Sequence, residues 1–166
     1  IYDGGFVFWV DESGEHGLMA SLDDLDGGSG VSFSNVTSTL IGSSAQSMTD
    51  GTSNTAAITA QAGHSSSAAL LCENHNGGGH SDWYLPSLRE LNMMFQVDAI
   101  MDDILDNDGD PSTNGLRQQS STPIGGRYWS STEQNSSYAY CFISYLNYNQ
   151  QFTKLSVAGV RAIRKF

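Results

Sequence analysis

The residues that could perform catalytic chemistry are few and widely separated along this chain. His16, His64, His75 and His80 lie in turn-like stretches or at the end of an expected helix. A catalytic serine needs a histidine base that is itself oriented by an acid, and no stretch supplies that arrangement. A zinc site could be drawn from Cys72, His75 and His80, but their spacing is ordinary and a fourth ligand is missing. The sequence therefore favours a protein that binds a ligand over an enzyme.

One acidic stretch has the spacing of a cation-binding loop. Asp106, Asp108 and Asp110 alternate with other residues, and alternating oxygen ligands suit Ca²⁺. The stretch is not an EF-hand, because Pro111 stands where the turn glycine belongs and no Glu closes the loop. Two interpretations stay open: a structural Ca²⁺ that orders the loop, or a solvated acidic turn. We expect no other cofactor.

The cysteines also leave two alternatives. Cys72 and Cys141 are the only cysteines, so a single disulfide is conceivable, although the sequence does not give the distance between them. The other alternative is two buried free thiols, because free Cys often serves as a small core hydrophobe. The low Lys content and the many Gly, Ser, Thr and Asn residues favour an extracellular protein.

The strongest functional signal is the aromatic segment, residues 134–156, which is crowded with Tyr, Asn, Ser, Gln and Phe. Tyr provides rigid amphipathic contact and Ser and Asn provide adaptable hydrogen bonds, so this composition suits a binding surface. We predict a binding role for one set of its residues: Gln134, Tyr138, Tyr140, Phe142, Tyr145, Asn147, Tyr148, Asn149, Gln151 and Phe152.

Alternation within the aromatic segment predicts which side chains point outward. The aromatic row Tyr138, Tyr140 and Phe142 alternates with a small apolar row, and period two puts each row on one face of a strand. We predict that the small row, Ala139, Cys141 and Ile143, faces the core and that the aromatic row is exposed. The alternative is that the rings cover a second layer of core.

Composition excludes several partners. The chain has 166 residues, enough for one domain with a real core, and its net charge is −11. Such an acidic chain lacks the basic patches needed for nucleic acids and anionic membranes. The longest apolar run is far below the ~20 residues that span a bilayer.

Local patterns predict the elements that hold the aromatic segment. Residues 5–21 read as a hairpin whose first strand is central, and residues 23–51 and 106–126 as long loops. One helix should begin at Thr52 or Ser53, with a kink near residue 63, and end before residue 77. A second opens with the capping box of Ser87 and Glu90, and residues 97–105 extend it or form another turn. Strands are expected near 127–131, 138–143, 150–155 and 159–165.

These elements predict an α+β fold, with two helices packed on a twisted, mostly antiparallel sheet and with paired N- and C-terminal strands. Trp83 and Trp129 are expected in the core, where a Trp N–H normally finds a partner. Ser130, Ser131 and Glu133 are expected to satisfy backbone groups of nearby loops.

Four stretches resemble one family. They are GGFVFWVDESGEHGL (4–18), SDWYLPSLRELN (81–92), and YWSSTE (128–133) together with VRAIR (160–164). They are similar to the C-terminal domain of the Legionella collagen-like adhesin and its relatives, which is close to the variable proteins of diversity-generating retroelements. The resemblance spans nearly the whole chain, and it implies a C-type-lectin-like fold at the C-terminal part of a larger surface protein.

The resemblance also implies a function and a limit to it. In retroelement targets the variable residues lie between a Trp-Ser-Ser-type motif and the final strand, which here corresponds to the aromatic segment. It implies a non-enzymatic adhesin that binds a protein or carbohydrate on another cell or surface. The sulfated polysaccharides bound by the collagen-like adhesin are not carried over, because Lys154 is the only basic residue of the aromatic segment.

Two other functions stay open at this stage. The chain could be a structural module, such as a trimerising cap of a surface fibre, with the aromatic residues buried between subunits. It could also be a relative of the formylglycine-generating enzymes, which share the broad fold and use a cysteine pair near the substrate groove.

Overall fold

The computed structural model describes residues 1–116 and 126–166, and its architecture is α+β, as predicted. The strands are β1 (Gly5–Val10), β2 (Gly17–Ser21), β3 (Val31–Ser32), β4 (Arg127–Glu133), β5 (Tyr138–Ile143), β6 (Tyr148–Thr153), β7 (Val157–Ala158) and β8 (Ile163–Lys165). The helices are α1 (Gly51–Thr59), α2 (Ala68–Glu73), α3 (Leu88–Phe95) and α4 (Asp98–Leu105). Part of the predicted second long loop, residues 117–125, lies outside the described residues.

The N-terminal sheet has the order β1-β2-β8, and all three strands are antiparallel to their neighbours. The prediction that β1 is central was wrong: β2 is central and every one of its residues is buried. The predicted pairing of the first and last strands was wrong for the same reason, because β2 separates them. The exposed end of β1, Trp9 and Val10, marks it as an edge strand.

Each predicted helix is two helices. In the first, Gly63 has a φ of 82°, and residues 60–67 separate α1 from α2. The N-cap of α1 is Asp50, not Thr52 or Ser53, because the Asp50 carboxylate accepts the backbone N–H of Ser53. In the second, the predicted capping box of Ser87 and Glu90 opens α3, and α4 follows as a separate helix.

The C-terminal sheet has the order β4-β5-β6, so that buried β4 and exposed β6 flank β5. A third, two-stranded sheet joins β3 to β7. As predicted, Trp83 and Trp129 are almost completely buried, and their indole N–H groups donate to the carbonyls of Gly77 and Val31.

The buried side chains form two clusters, and β5 contributes to both. Ala139 and Cys141 lie in the cluster that contains both tryptophans, whereas Phe142 lies in the cluster that contains Phe95 of α3. Both faces of β5 are therefore covered over part of its length. No helix in the two described ranges is long and apolar enough to cross a membrane.

Candidate functional site

The hairpin of β5 and β6 carries most of the aromatic segment, and its register assigns each residue to a face. Tyr138 pairs with Thr153, Tyr140 with Gln151 and Phe142 with Asn149; the intervening pairs put Ala139 with Phe152, Cys141 with Gln150 and Ile143 with Tyr148. Directly opposed residues project from the same side of an antiparallel pair. The predicted binding residues therefore occupy two opposite faces of the hairpin and its turn, not one surface.

The small apolar row lies where alternation places it. Ala139 and Cys141 are completely buried, and Ile143 is nearly so. The prediction that the aromatic row is exposed is right only at the end of the row that begins with Tyr138. Tyr138 is 41% exposed, Tyr140 is half-buried, and Phe142 is 3% exposed.

The prediction that Phe142 is exposed was therefore wrong. Its ring stacks on Phe95 of α3 with 4.2 Å between centroids, and Phe95 also contacts the ring of Tyr128. Helix α3 thus covers this end of β5. The alternative interpretation, a second layer of core under the aromatic row, is right for this one position.

The face of the hairpin that carries the aromatic row is open where α3 does not cover it, and there it forms a strip of tyrosine and amide side chains. Tyr138 and Tyr140 lie beside Asn149 and Gln151 of β6, and the Gln151 amide donates to the Tyr140 hydroxyl at 3.3 Å. Amide and phenol groups at the surface offer hydrogen bonds to a partner without carrying charge.

The other face of β6 carries one half-buried and one exposed aromatic residue. Phe152 is half-buried against the core, and the Arg127 guanidinium lies 4.8 Å from the centre of its ring. The prediction of a binding role for Phe152 is therefore weakened by its packing. Tyr148 is 42% exposed, and its hydroxyl donates to Gln150 at 2.7 Å.

The turn between β5 and β6 is exposed at three of its four residues, 145–147. Tyr145 is 55% and Leu146 is 52% exposed, and Asn147 adopts a left-handed conformation with φ 52°, which Asn tolerates. Leu146 is absent from the predicted binding residues. Its apolar side chain in an otherwise polar turn could have identified it, because an apolar residue that is not needed for the core often marks an interaction site.

Gln134 lies at the opposite end of the hairpin. Its backbone N–H donates to Tyr138, its backbone carbonyl accepts from the Gln46 amide, and its side chain contacts Asn135. It is half-buried, so it borders the open strip near Tyr138 and shapes the turn that begins β5.

A buried ion pair fixes the base of the hairpin. The Lys154 ammonium, just after β6, contacts the Glu133 carboxylate of β4 at 2.5 Å, and both side chains are fully buried. As predicted, Glu133 satisfies backbone groups, because it accepts the N–H groups of Ile41 and Gly42. The only cation of the aromatic segment is therefore withdrawn from its surface.

Of the two alternatives for the cysteines, the structure contains the free thiols. Cys72 and Cys141 are both fully buried, in the same core cluster. Burial raises the pKa of each thiol well above its ordinary value, which disfavours the nucleophilic thiolate.

The carboxylates of the acidic loop are engaged within the loop itself. Asp106 accepts the backbone N–H of Gly115, Asp108 accepts that of Asp110, and Asp110 accepts from Ser112. The hydrogen bond from the Ser112 side chain lowers the pKa of Asp110. Across residues 1–116 and 126–166, no three His, Cys, Asp or Glu side chains form a group that could hold a metal ion. A structural Ca²⁺ here stays a prediction.

No protein-family model matches this sequence, and no curated protein matches it either. The functional conclusion therefore depends on the chain's own residues and their placement.

Proposed function

We propose that this chain is a non-enzymatic recognition domain that binds a protein or carbohydrate on another cell or surface through the β5–β6 hairpin. One observation carries the proposal: four of the seven tyrosines, Tyr138, Tyr140, Tyr145 and Tyr148, lie on this hairpin and are at least partly exposed, among Asn and Gln side chains. Exposed aromatic residues of this kind are enriched at recognition surfaces.

The way the hairpin is held supports this function. Its base is fixed by the Lys154–Glu133 ion pair, and β5 is anchored nearer the turn by the core contacts of Cys141 and Phe142, whereas the turn and the edge strand are exposed. A surface loop on a rigid support can change sequence without loss of the core. This arrangement suits the C-type-lectin-like fold that we propose for the domain, in an extracellular adhesin, with the exposed positions of 138–151 open to retroelement diversification.

The charge distribution supports an uncharged or weakly charged epitope. With Lys154 buried, the exposed hairpin presents phenol, amide and hydroxyl groups. Such groups hydrogen-bond and stack on protein surfaces or sugar rings, whereas a sulfated polysaccharide needs exposed cations.

The alternative of a formylglycine-generating-type enzyme receives less support, because both thiols are buried with raised pKa values. The alternative of a trimerising module of a surface fibre needs the same exposed tyrosines to be buried between subunits. One pair of variants distinguishes ligand recognition by the hairpin from a role of the hairpin in subunit assembly.

The test uses a tip variant, Tyr145→Ser/Leu146→Ser/Tyr148→Ser, and a control variant, Ile100→Ser/Ile104→Ser, which removes exposed apolar residues of α4. Wild type and both variants are applied to glycan and cell-surface-protein arrays. We expect wild type and control to bind the same array ligands and the tip variant to lose them. Equal binding by the tip variant would contradict the proposal.

Size-exclusion chromatography of the same three proteins tests the alternative. We expect the tip variant to elute with the wild type. An oligomer that dissociates only in the tip variant would instead assign the hairpin to assembly.

A further inference from the structure

A cavity of about 500 Å³ lies between the N-terminal sheet and α3, away from the β5–β6 hairpin. Its walls include Trp9, Leu18 and Phe166 from the sheet side and Met93 from the helix, and its polar rim includes Arg89 and Lys165. This volume is in the range of sites for small organic ligands.

Two cations of the described residues, Arg89 and Lys165, lie at this cavity. Lys154, Arg161 and Arg164 are buried and paired with carboxylates, and Arg127 lies over Phe152. In the part of the chain that the structure describes, Arg89 and Lys165 are exposed and form no ion pair within 4.0 Å, and the Lys165 ammonium lies 5.6 Å from the centre of the Tyr84 ring. Two such cations at one cavity stand out in a chain of net charge −11.

A backbone irregularity directs Trp9 into this cavity. Phe6 and Phe8 pack in the cluster below α3, and Val7 packs on the other side of the sheet, so strict alternation would turn Trp9 away from α3. The register shift between Val7 and Trp9 instead aligns Trp9 with Leu18, which in turn pairs with Lys165. Opposed residues share a face, and the three side chains therefore form one row facing α3.

Glu90, an acidic residue that lines the cavity, already accepts several hydrogen bonds from groups other than Arg89 and Lys165. The Glu90 carboxylate accepts the N–H of Gly51, the N–H and hydroxyl of Ser87, and the Tyr84 hydroxyl. It is 5% exposed and belongs to the α3 capping box, so it does not occupy Arg89 or Lys165. The comparable cavity beside Leu155 and Val157 has no charged residue in its lining.

We propose that this cavity binds a small organic anion, with a carboxylate held by Arg89 and Lys165 and an aromatic body packed on Trp9 and Phe166. Arg and Lys donate charge-assisted hydrogen bonds to carboxylates, and aromatic walls favour a planar apolar body. The inference is independent of the hairpin, because the cavity shares no residue with β5 or β6.

The tryptophans provide a selective readout. Trp9 is 42% exposed, whereas Trp83 and Trp129 are 2% and 1% exposed. Titration with 3-phenylpropionate should change the emission of Trp9, and isothermal titration calorimetry supplies a second measurement. We expect saturable binding that the uncharged 3-phenylpropanamide reproduces about tenfold more weakly or worse.

Variants then assign the anion-binding groups. We expect Arg89→Gln and Lys165→Gln each to weaken 3-phenylpropionate binding by about tenfold, and Arg89→Lys and Lys165→Arg to retain most of it. Trp9→Phe should abolish the emission change but keep the calorimetric signal. The tip variant should bind like the wild type.

Three results would each overturn the proposal. They are no saturable calorimetric signal up to about 10 mM 3-phenylpropionate, equal affinity for the amide, and unchanged affinity in Arg89→Gln/Lys165→Gln with an unchanged melting temperature.

Discussion

Two side chains in the same row of β5 lie in different environments. Tyr138 and Phe142 belong to the same row of the strand, yet Tyr138 is 41% exposed and Phe142 is stacked on Phe95. We expect Tyr138→Ala to cost less than about 1 kcal/mol of unfolding free energy. Phe142→Ala should cost about 3–5 kcal/mol, because it leaves a cavity under α3. Chemical denaturation of the two variants measures both values.

Equal losses of stability in these two variants would contradict the assignment of the row to two environments. Ile143→Val is a matched control, because it removes one methylene from the buried row of the same strand and should cost about 0.5–1.5 kcal/mol.

His75 is a half-buried titratable residue with a defined effect on stability. Its ring lies 4.8 Å from that of Trp83, and its Nε2 is a buried atom without a hydrogen-bond partner. Burial lowers the pKa of His75 below the ordinary value, and the charge of Asp23 only partly opposes this. The unfolded chain therefore binds the proton more readily than the native state.

The sign of the pH dependence follows from this difference. The stability contribution of neutral His75 is complete above about pH 6.5 and is lost as the pH falls toward the depressed native pKa. We expect His75→Phe to show a smaller loss of unfolding free energy than wild type between about pH 7.5 and pH 5.5. Parallel pH profiles for the two proteins would contradict the burial of the imidazole.

At the scale of single residues, alternation predicted the buried row but not the burial of Phe142. Period two describes one strand and therefore fixes the two faces of Ala139, Cys141 and Ile143 relative to their neighbours. The cover over Phe142 comes from Phe95, 47 positions away in sequence number (142 minus 95), and no local pattern encodes that contact. Leu146 was missed because composition drew attention to polar aromatic residues.

At the scale of elements, the Lys154–Glu133 ion pair joins the end of β6 to β4 and to residues 39–42. Lys154 also donates to the Thr39 carbonyl at 3.1 Å. We expect Lys154→Met to cost about 3–5 kcal/mol, because it leaves the Glu133 carboxylate buried without its cation. Adding Glu133→Gln should restore part of that loss, since the buried charge is then removed.

Thermal and urea unfolding of Lys154→Met, Glu133→Gln and the double variant measure the coupling between the two residues. Strictly additive losses would show that the pair does not act as a unit. The exposed Lys165→Met serves as the control for removal of a lysine and should cost less than about 1 kcal/mol.

Elements that a short local pattern defines were predicted better than the pairing of one element with another. The capping box of Ser87 and Glu90 needs only a four-residue pattern, and α3 begins where that pattern places it. Local patterns do not give the pairing of β8 with β2, because the two strands are far apart in sequence. Their pairing depends on the packing of the whole core. The break between α1 and α2, by contrast, contains the predicted kink, where Gly63 has a φ of 82°.

At the scale of the molecule, two core clusters meet at β5 and leave the β5–β6 turn outside both, and Phe152 is the residue of the edge strand β6 that packs against one of them. The α+β class followed from the order of helical and strand patterns, and the exposure of Tyr138, Tyr145 and Tyr148 agrees with the composition of the aromatic segment. The division of the predicted binding residues between two faces was not predicted, because it depends on the register between β5 and β6. The C-type-lectin-like fold and the adhesin function are proposals that the hairpin supports.

Hydrogen–deuterium exchange of the complex with an array-selected ligand tests whether the β5–β6 hairpin is the binding surface. We expect ligand to slow exchange of backbone amides in the turn at 144–147 and in the edge strand β6, which are exposed in the free protein. Amides of α4 and of the cavity beside Trp9 should exchange unchanged. Protection confined to α4, or to the Trp9 cavity, with none in the hairpin, would contradict the assignment of recognition to β5 and β6.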